Sequence, residues 1–173
     1  MPVEELRARI REVPDFPKPG ILFYDITTLL KDGPSFREAI DLMLEPFLET
    51  PVDVVVGMES RGFIFSAPMA YRLGVGLVPV RKLGKLPHET LSIEYALEYG
   101  SNTLEIHRDA IAEGQRVLIV DDLLATGGTV RGTVDLVRRL GGEIAGLSFL
   151  VELLFLKGRD RLKEFPVSSV IQY

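Results

Sequence analysis

One stretch constrains this 173-residue chain more than any other: Val117-Leu118-Ile119-Val120-Asp121-Asp122-Leu123-Leu124-Ala125-Thr126-Gly127-Gly128-Thr129. Four apolar residues, three of them β-branched, predict a strand buried on both faces, the pattern of a central strand in a parallel sheet. Two aspartates stand where that strand is expected to end. A loop of small residues follows, Ala125 to Thr129, and then a helical pattern from Val130 to Leu140.

Open α/β sheets bind ligands beyond the carboxyl ends of their strands, where residues 121–129 are expected. Gly127 and Gly128 let the backbone turn tightly and approach a ligand. The free N–H groups at the start of the next helix favour an anion such as a phosphate monoester, and Thr126 and Thr129 add hydroxyl donors. Asp121 and Asp122 only accept hydrogen bonds when ionised, so they call for hydroxyls or a metal. Neighbours in extended backbone point apart, so the two are expected to grip different groups. A phosphate and two hydroxyls a few ångströms apart describe a ribose 5-phosphate. The plainer alternative is that Asp-Asp ends a strand, Gly-Gly makes a turn and Thr caps a helix. No G-x-x-x-x-G-K-[ST] sequence is present.

Residues 117–129 resemble the phosphoribosyl-diphosphate (PRPP) motif of the type I phosphoribosyltransferases, and Leu-Leu-Ala-Thr-Gly-Gly-Thr after the aspartates resembles the adenine-using members in particular. The resemblance runs from about Pro14 to residue 165. It implies an α/β fold with a mainly parallel central sheet flanked by helices, a small N-terminal hood (about 14–30) and a flexible lid loop (about 81–100), all within one domain, 1–173.

Length and composition agree with one domain and a sizeable core: 46% of residues are hydrophobic. A net charge of −5 argues against a nucleic-acid surface. The absence of cysteine excludes disulfides and thiolate metal sites and suits the cytoplasm. Two histidines are too few for a histidine-rich metal site. The N-terminus is charged and lacks the apolar core of a signal peptide, and the longest apolar-rich run, Leu147 to Leu156, is interrupted and too short for a bilayer.

Along the chain, Val3 to Val13 predicts a short surface helix. Three prolines make 14–20 a loop or arm. Ile21 to Tyr24 predicts a short strand at the edge of the core. The resemblance places Leu22, Phe23 and Tyr24 in a hood over the purine, with Tyr24 standing where many relatives carry Arg or Lys. Pro34 to Glu49 predicts a helix that Pro46 bends or ends. Val52 to Gly57 predicts a strand leading into Glu59-Ser60-Arg61-Gly62-Phe63 and a helix to about Leu73. A buried Arg61 beside Ser60 would suit a second anion, an ordinary strand–helix turn being the alternative. Glu59, Ser60 and Arg61 also match the family's diphosphate loop.

Val75 to Val80 predicts a third strand, followed by Arg81-Lys82-Leu83-Gly84-Lys85, three cations in five residues and a candidate movable basic loop. Residues 86–100 predict a hairpin flap, and Thr103 to His107 a strand that pairs with it. Asp109 to Glu113 predicts a helical turn. Ile144 to Leu154 and Val167 to Ile171 predict strands on either side of a charged helix, Lys157 to Lys163. Strands alternating with helices indicate a parallel sheet with right-handed crossovers.

The resemblance implies transfer of the 5-phosphoribosyl group of PRPP to adenine, giving AMP and diphosphate. It assigns Asp121 and Asp122 to the ribose, Ala125, Thr126, Gly127, Gly128 and Thr129 to the 5-phosphate, and Arg61, Arg81, Lys82 and Lys85 to the diphosphate. It also assigns Leu123 and Glu98 to adenine, Tyr99 to ordering of the lid, and Glu98, Asp122 and Arg61 to catalysis. Mg²⁺ is expected to be held through PRPP and water rather than by the protein directly, and a homodimer is implied. Three alternatives stay open: a phosphoribosyltransferase for hypoxanthine, guanine or xanthine; a PRPP-sensing regulator without turnover; and a plain nucleotide-binding module.

Overall fold

The run Val117 to Val120 is wholly buried and lies on an inner strand of a seven-stranded sheet. In this computed structural model residues 1–96 and 100–173 are described. They fall into two compact units, Met1–Leu42 and Met43–Tyr173. Residues 97–99 are outside the description.

The first unit holds α1 (Val3–Ala8), β1 (Arg11–Val13), β2 (Phe23–Asp25), α2 (Thr27–Leu30) and most of α3 (Gly33–Leu44). The helix expected over 3–13 stops at Ala8, because Arg11 to Val13 find a partner: Arg11 pairs with Asp25 and Val13 with Phe23 in an antiparallel ribbon. The short strand expected at Ile21 to Tyr24 is β2 of that ribbon, not a member of the large sheet. Arg11 donates to Asp25 across the ribbon, Nε to Oδ2 at 3.0 Å. The Thr27 hydroxyl and N–H, then Arg11, hold the Asp25 carboxyl at about 2. The proline-rich arm is a loop closed by Gly20 N–H donating to Asp15 Oδ1 at 2.8 Å. As expected from Pro46, α3 ends at Leu44 and a 3-10 turn follows over Glu45–Phe47.

In the second unit the strands are β3 (Val54–Met58), β4 (Gly76–Lys82), β5 (Thr90–Ala96), β6 (Ser101–His107), β7 (Arg116–Leu124), β8 (Glu143–Glu152) and β9 (Val167–Gln172). Their order is β5-β6-β4-β3-β7-β8-β9. From β4 to β9 every neighbouring pair is parallel; β5 and β6 extend the edge antiparallel. The helices are α4 (Gly62–Leu73) and α5 (Gly128–Arg139). Val130, Val134 and Val137 recur at i, i+4 and i+7 on α5 and are buried with Val54, Val56, Val117 and Ile119. Each such fully buried aliphatic side chain contributes about 1.5–3 kcal/mol. On α4, Phe65 and Met69 are wholly buried, and the helix packs on β3 and β7. Gly57 leaves room for it, since a Cβ there would stand 2.1 Å from Ser66 Oγ.

Three expectations change in detail. Asp109 to Glu113 makes turns, not a helical segment. The helix expected over Lys157–Lys163 is a 3-10 segment, Gly158–Leu162. The strand carrying the aspartates runs on to Leu124, because β8 continues beside it with Asp121 opposite Phe149 and Leu124 opposite Glu152.

Candidate active site

Strand order decides where a ligand can sit. From β3 the chain crosses to β4 on one side, and β7 later joins on the other, so the order reverses between β3 and β7. Such a switch point leaves a crevice at the carboxyl ends of the strands. Parallel register then brings three strand ends level: Met58 pairs with Val80, and Gly57 with Val120. The residues that follow, Glu59 to Arg61, Arg81 to Lys82 and Asp121 to Asp122, emerge side by side. All of these but Arg81 border a cleft of about 380 Å³ that also takes in Leu123 to Val130.

The start of α4 closes in on the end of β7. A Cβ on Gly62 would lie 2.8 Å from Asp121 Oδ1 and 3.2 Å from the Val120 carbonyl oxygen, so only glycine permits this approach. Arg61 Nε donates to Asp122 Oδ2 at 2.6 Å. The Arg61 side chain is 48% exposed, which agrees with the surface arginine of the alternative reading, while its Nε still meets Asp122. Ser60 is exposed, and the Glu59–Ser60 peptide is cis.

The two aspartates have different partners. Asp122 is buried and takes Arg61; Asp121 Oδ1 accepts the Asp122 N–H at 2.8 Å. Burial raises the Asp121 carboxyl well above its ordinary value and the neighbouring Asp122 charge adds to this, while the Asp122 N–H and Arg61 pull it down.

Glu59 gathers the basic groups. Its carboxylate accepts from Arg81 Nη2 at 3.0 Å, from the Lys82 N–H at 2.8 Å and from Lys85 Nζ at 2.6 Å. Burial alone would raise this carboxyl, but the Lys82 N–H and the Lys85 and Arg81 side chains outweigh it and hold it at about 2. Arg81 and Lys82 were expected in a movable loop. They are instead residues of β4, paired with Glu105 and Leu104 of β6, since the ladder continues for as long as β6 offers partners. Lys85 follows the turn at Leu83–Gly84.

The small-residue loop ends on Gly127 in left-handed conformation, φ 84°, and α5 begins at Gly128. Ala125 to Thr129 all border the cleft. The described part of the flap is the antiparallel β5–β6 hairpin, which sends Tyr95, Asn102 and Leu104 to the cleft. Sequence reasoning did not single these out; their signal was only the alternation of the flap. The assignments of Glu98 and Tyr99 lie outside the described residues.

Leu22, Phe23 and Tyr24 belong to the first unit. Leu22 is exposed, and the Phe23 ring meets Phe16 edge to face with centroids 5.1 Å apart.

A cleft with a carboxylate pair, a glycine loop opening a helix and a cluster of cations can hold a sugar phosphate and a second anionic group. The phosphoribosyl transferase domain family matches residues 25–170. Over 170 residues the chain is 60% identical to an adenine phosphoribosyltransferase of Chloroflexus aurantiacus, covering 98% of each protein. It superposes on the crystal structure of the Thermoanaerobacter pseudethanolicus adenine phosphoribosyltransferase with a TM-score of 0.96 at 54% identity, covering 99% of each chain. The Saccharomyces cerevisiae enzyme, solved with adenine and an imino-altritol bisphosphate, gives 0.91 at 42% identity and 97% of each chain. The chain therefore belongs to the phosphoribosyltransferase family and, within it, to the group of the adenine phosphoribosyltransferases.

Proposed function

We propose that this cleft transfers the 5-phosphoribosyl group of PRPP to adenine, giving AMP and diphosphate. The observation that carries the reading is the convergence of Asp121–Asp122, the 125–129 loop and the Glu59–Arg61 loop on one crevice. In the reaction a base nitrogen bonds to carbon 1 of the ribose. The bond from carbon 1 to diphosphate breaks with its electron pair on the departing oxygen, and the base releases a proton.

Positive charge grows on the ribose ring as diphosphate leaves. Asp121 and Asp122, at the ribose hydroxyls, stabilise it electrostatically. The loop from Ala125 to Thr129 and the first N–H groups of α5 hold the 5-phosphate, and this remote binding positions carbon 1 against the base. Arg61, Arg81, Lys82 and Lys85 face the diphosphate. Glu59, an acceptor, aligns three of the donors rather than touching the anion itself. Leu123, at the cleft, lies against adenine. Leu22, Phe23 and Tyr24 cover the base, Glu98 meets its imidazole side, and Tyr99 orders the lid; these five roles rest on the family resemblance.

Mg²⁺ fits the cleft as a companion of the substrate. The described residues hold no group of three acidic, histidine or cysteine side chains able to cage a metal, and Glu59 already accepts from three donors. The ion would be held by phosphate oxygens and water, on the cation-lined side of the cleft, and would neutralise charge on the leaving group. No described helix is long and apolar enough to cross a membrane. A cytoplasmic setting and a homodimer complete the reading, supported by the resemblance, and sedimentation of the purified chain tests the dimer.

The deciding experiment is turnover of PRPP and Mg²⁺ with each purine base separately. AMP from adenine, formed far faster than any nucleotide from the other bases, is expected. Faster turnover of a 6-oxopurine would overturn the assignment of the base, and PRPP binding with no turnover would favour a sensor.

A further inference from the structure

We infer that Arg161, carried on the turn Gly158–Leu162, supplies the positive side chain of the 5-phosphate site. The inference rests on the proposed reading of loop 125–129 as that site. The loop itself offers backbone N–H groups and two hydroxyls but no cation, although a phosphate monoester carries about −1.5 to −2 at neutral pH. Asp121 and Asp122 stand a few residues away, in a protein of net charge −5. An anion placed there gains from a nearby positive charge more than from a further neutral donor.

Arg131 and Arg161 both stand near the loop. Arg131 is committed: it pairs with Glu164 and lies 3.6 Å from Asp135. Arg161 is different. Its Nη1 lies 3.6 Å from the point a Cβ on Gly128 would occupy, a point that Tyr95 Cδ2 and the Ala96 carbonyl oxygen approach at 3.7 and 3.9 Å. Tyr95 also borders the cleft. Arg161 is exposed, and among the described residues no carboxylate pairs with its guanidinium.

The turn that carries Arg161 is built against the loop. A Cβ on Gly158 would stand 2.3 Å from the Ala125 carbonyl oxygen and 3.1 Å from Gly127 N; a Cβ on Gly127 would stand 2.7 Å from the Gly158 carbonyl oxygen. Two glycines facing each other let the backbones touch. Lys157, in left-handed conformation at φ 54°, leads the chain into the turn. Arg159 then anchors it, donating to Glu152 at 3.0 and 2.6 Å and to the Val167 carbonyl oxygen at 2.9 Å. On the other side the Arg161 carbonyl oxygen accepts from Arg131 Nη1 at 3.3 Å, tying the turn to α5. Arg161 is thus held next to the loop by backbone packing and an ion pair rather than by chance exposure.

The test compares wild type with Arg161→Ala and Arg161→Lys. Binding of ribose 5-phosphate and of diphosphate is measured separately by calorimetry, alongside KM for PRPP, kcat with adenine and the melting temperature. Arg161→Ala is expected to weaken ribose 5-phosphate and raise KM for PRPP about ten-fold, the scale of one charge-assisted hydrogen bond. Diphosphate affinity and kcat should hold within about two-fold, and lysine should restore most of the loss because it keeps the charge. Unchanged ribose 5-phosphate binding, or an equal loss on diphosphate, would overturn the inference. Wild-type protein that turns over no purine would overturn the proposed reaction instead, which the ribose 5-phosphate titration reads independently.

Discussion

Arg61 Nε and Asp122 Oδ2 are 2.6 Å apart although sixty-one positions separate the residues. This bond ties the loop after β3 to the end of β7 across the switch point of the sheet. It joins a residue assigned to the leaving diphosphate to one assigned to the ribose. Diphosphate binding would compete for Arg61, releasing Asp122 toward the developing charge on the ring.

Asp122→Asn is expected to lower kcat/KM by roughly 10²–10³, the range of one lost electrostatic stabiliser. Asparagine keeps the size and an acceptor for Arg61, so the melting temperature should move little. Steady-state kinetics with PRPP and adenine check this; a near-wild-type rate removes Asp122 from the mechanism.

Asp121→Asn should stabilise the ligand-free protein at neutral pH. The Asp121 carboxyl is raised above its ordinary 3.8 by burial and by Asp122. Its ionised form is therefore less favourable folded than unfolded, and stability falls as pH rises above about 3.8 toward the raised value. Asparagine is spared that loss while still accepting the Asp122 N–H. Thermal melts should show a higher melting temperature for the variant at pH 7–8 and a shrinking gap toward pH 4, together with impaired turnover. An unchanged melting temperature at pH 7–8 counts against a strained carboxylate.

For Glu59 the sign is opposite. Its carboxyl is held at about 2 against an ordinary 4.5, so its stabilisation is complete above about 4.5 and is lost as pH falls through about 2. Glu59→Gln should melt lower than wild type at pH 7, by about 1–2 kcal/mol for weakened charge-assisted bonds, with the difference closing between pH 4.5 and 2. KM for PRPP should rise, because the common acceptor of Arg81 and Lys85 loses its charge. A variant with wild-type KM would mean that Glu59 only supports the fold.

Gly62→Ala tests the close approach of α4 to β7. The added methyl meets Asp121 Oδ1 at 2.8 Å and backbone at 3.2 and 3.3 Å, so the strand end or the helix start must move. Destabilisation of about 1–3 kcal/mol is expected, with a fall in kcat larger than the change in KM, since the carboxylates shift relative to carbon 1. Unfolding by denaturant, measured beside the kinetics, separates the two effects.

Local pattern was enough for much of this protein. The apolar run at 117–120, the paired glycines and the helical pattern from Val130 predicted a buried strand, a loop and a helix, because burial on both faces and a 3.6-residue repeat leave direct marks on composition. The same local logic failed where a partner decided the outcome. Arg11 to Val13 became a strand because Phe23 to Asp25 lay opposite, and Arg81 and Lys82 joined a ladder because Glu105 and Leu104 were there to pair. For Arg61 the sequence left a buried and a surface position both open, and Glu59 carried no mark of its three donors. Gly158 and Arg161 looked like part of a charged helix, while their meeting with Gly127 and Gly128 spans some thirty residues. Residue types and their periodicity determined which chemistry the chain could carry. The order and register of β4, β3 and β7, a matter of long-range pairing, decided which of those groups meet.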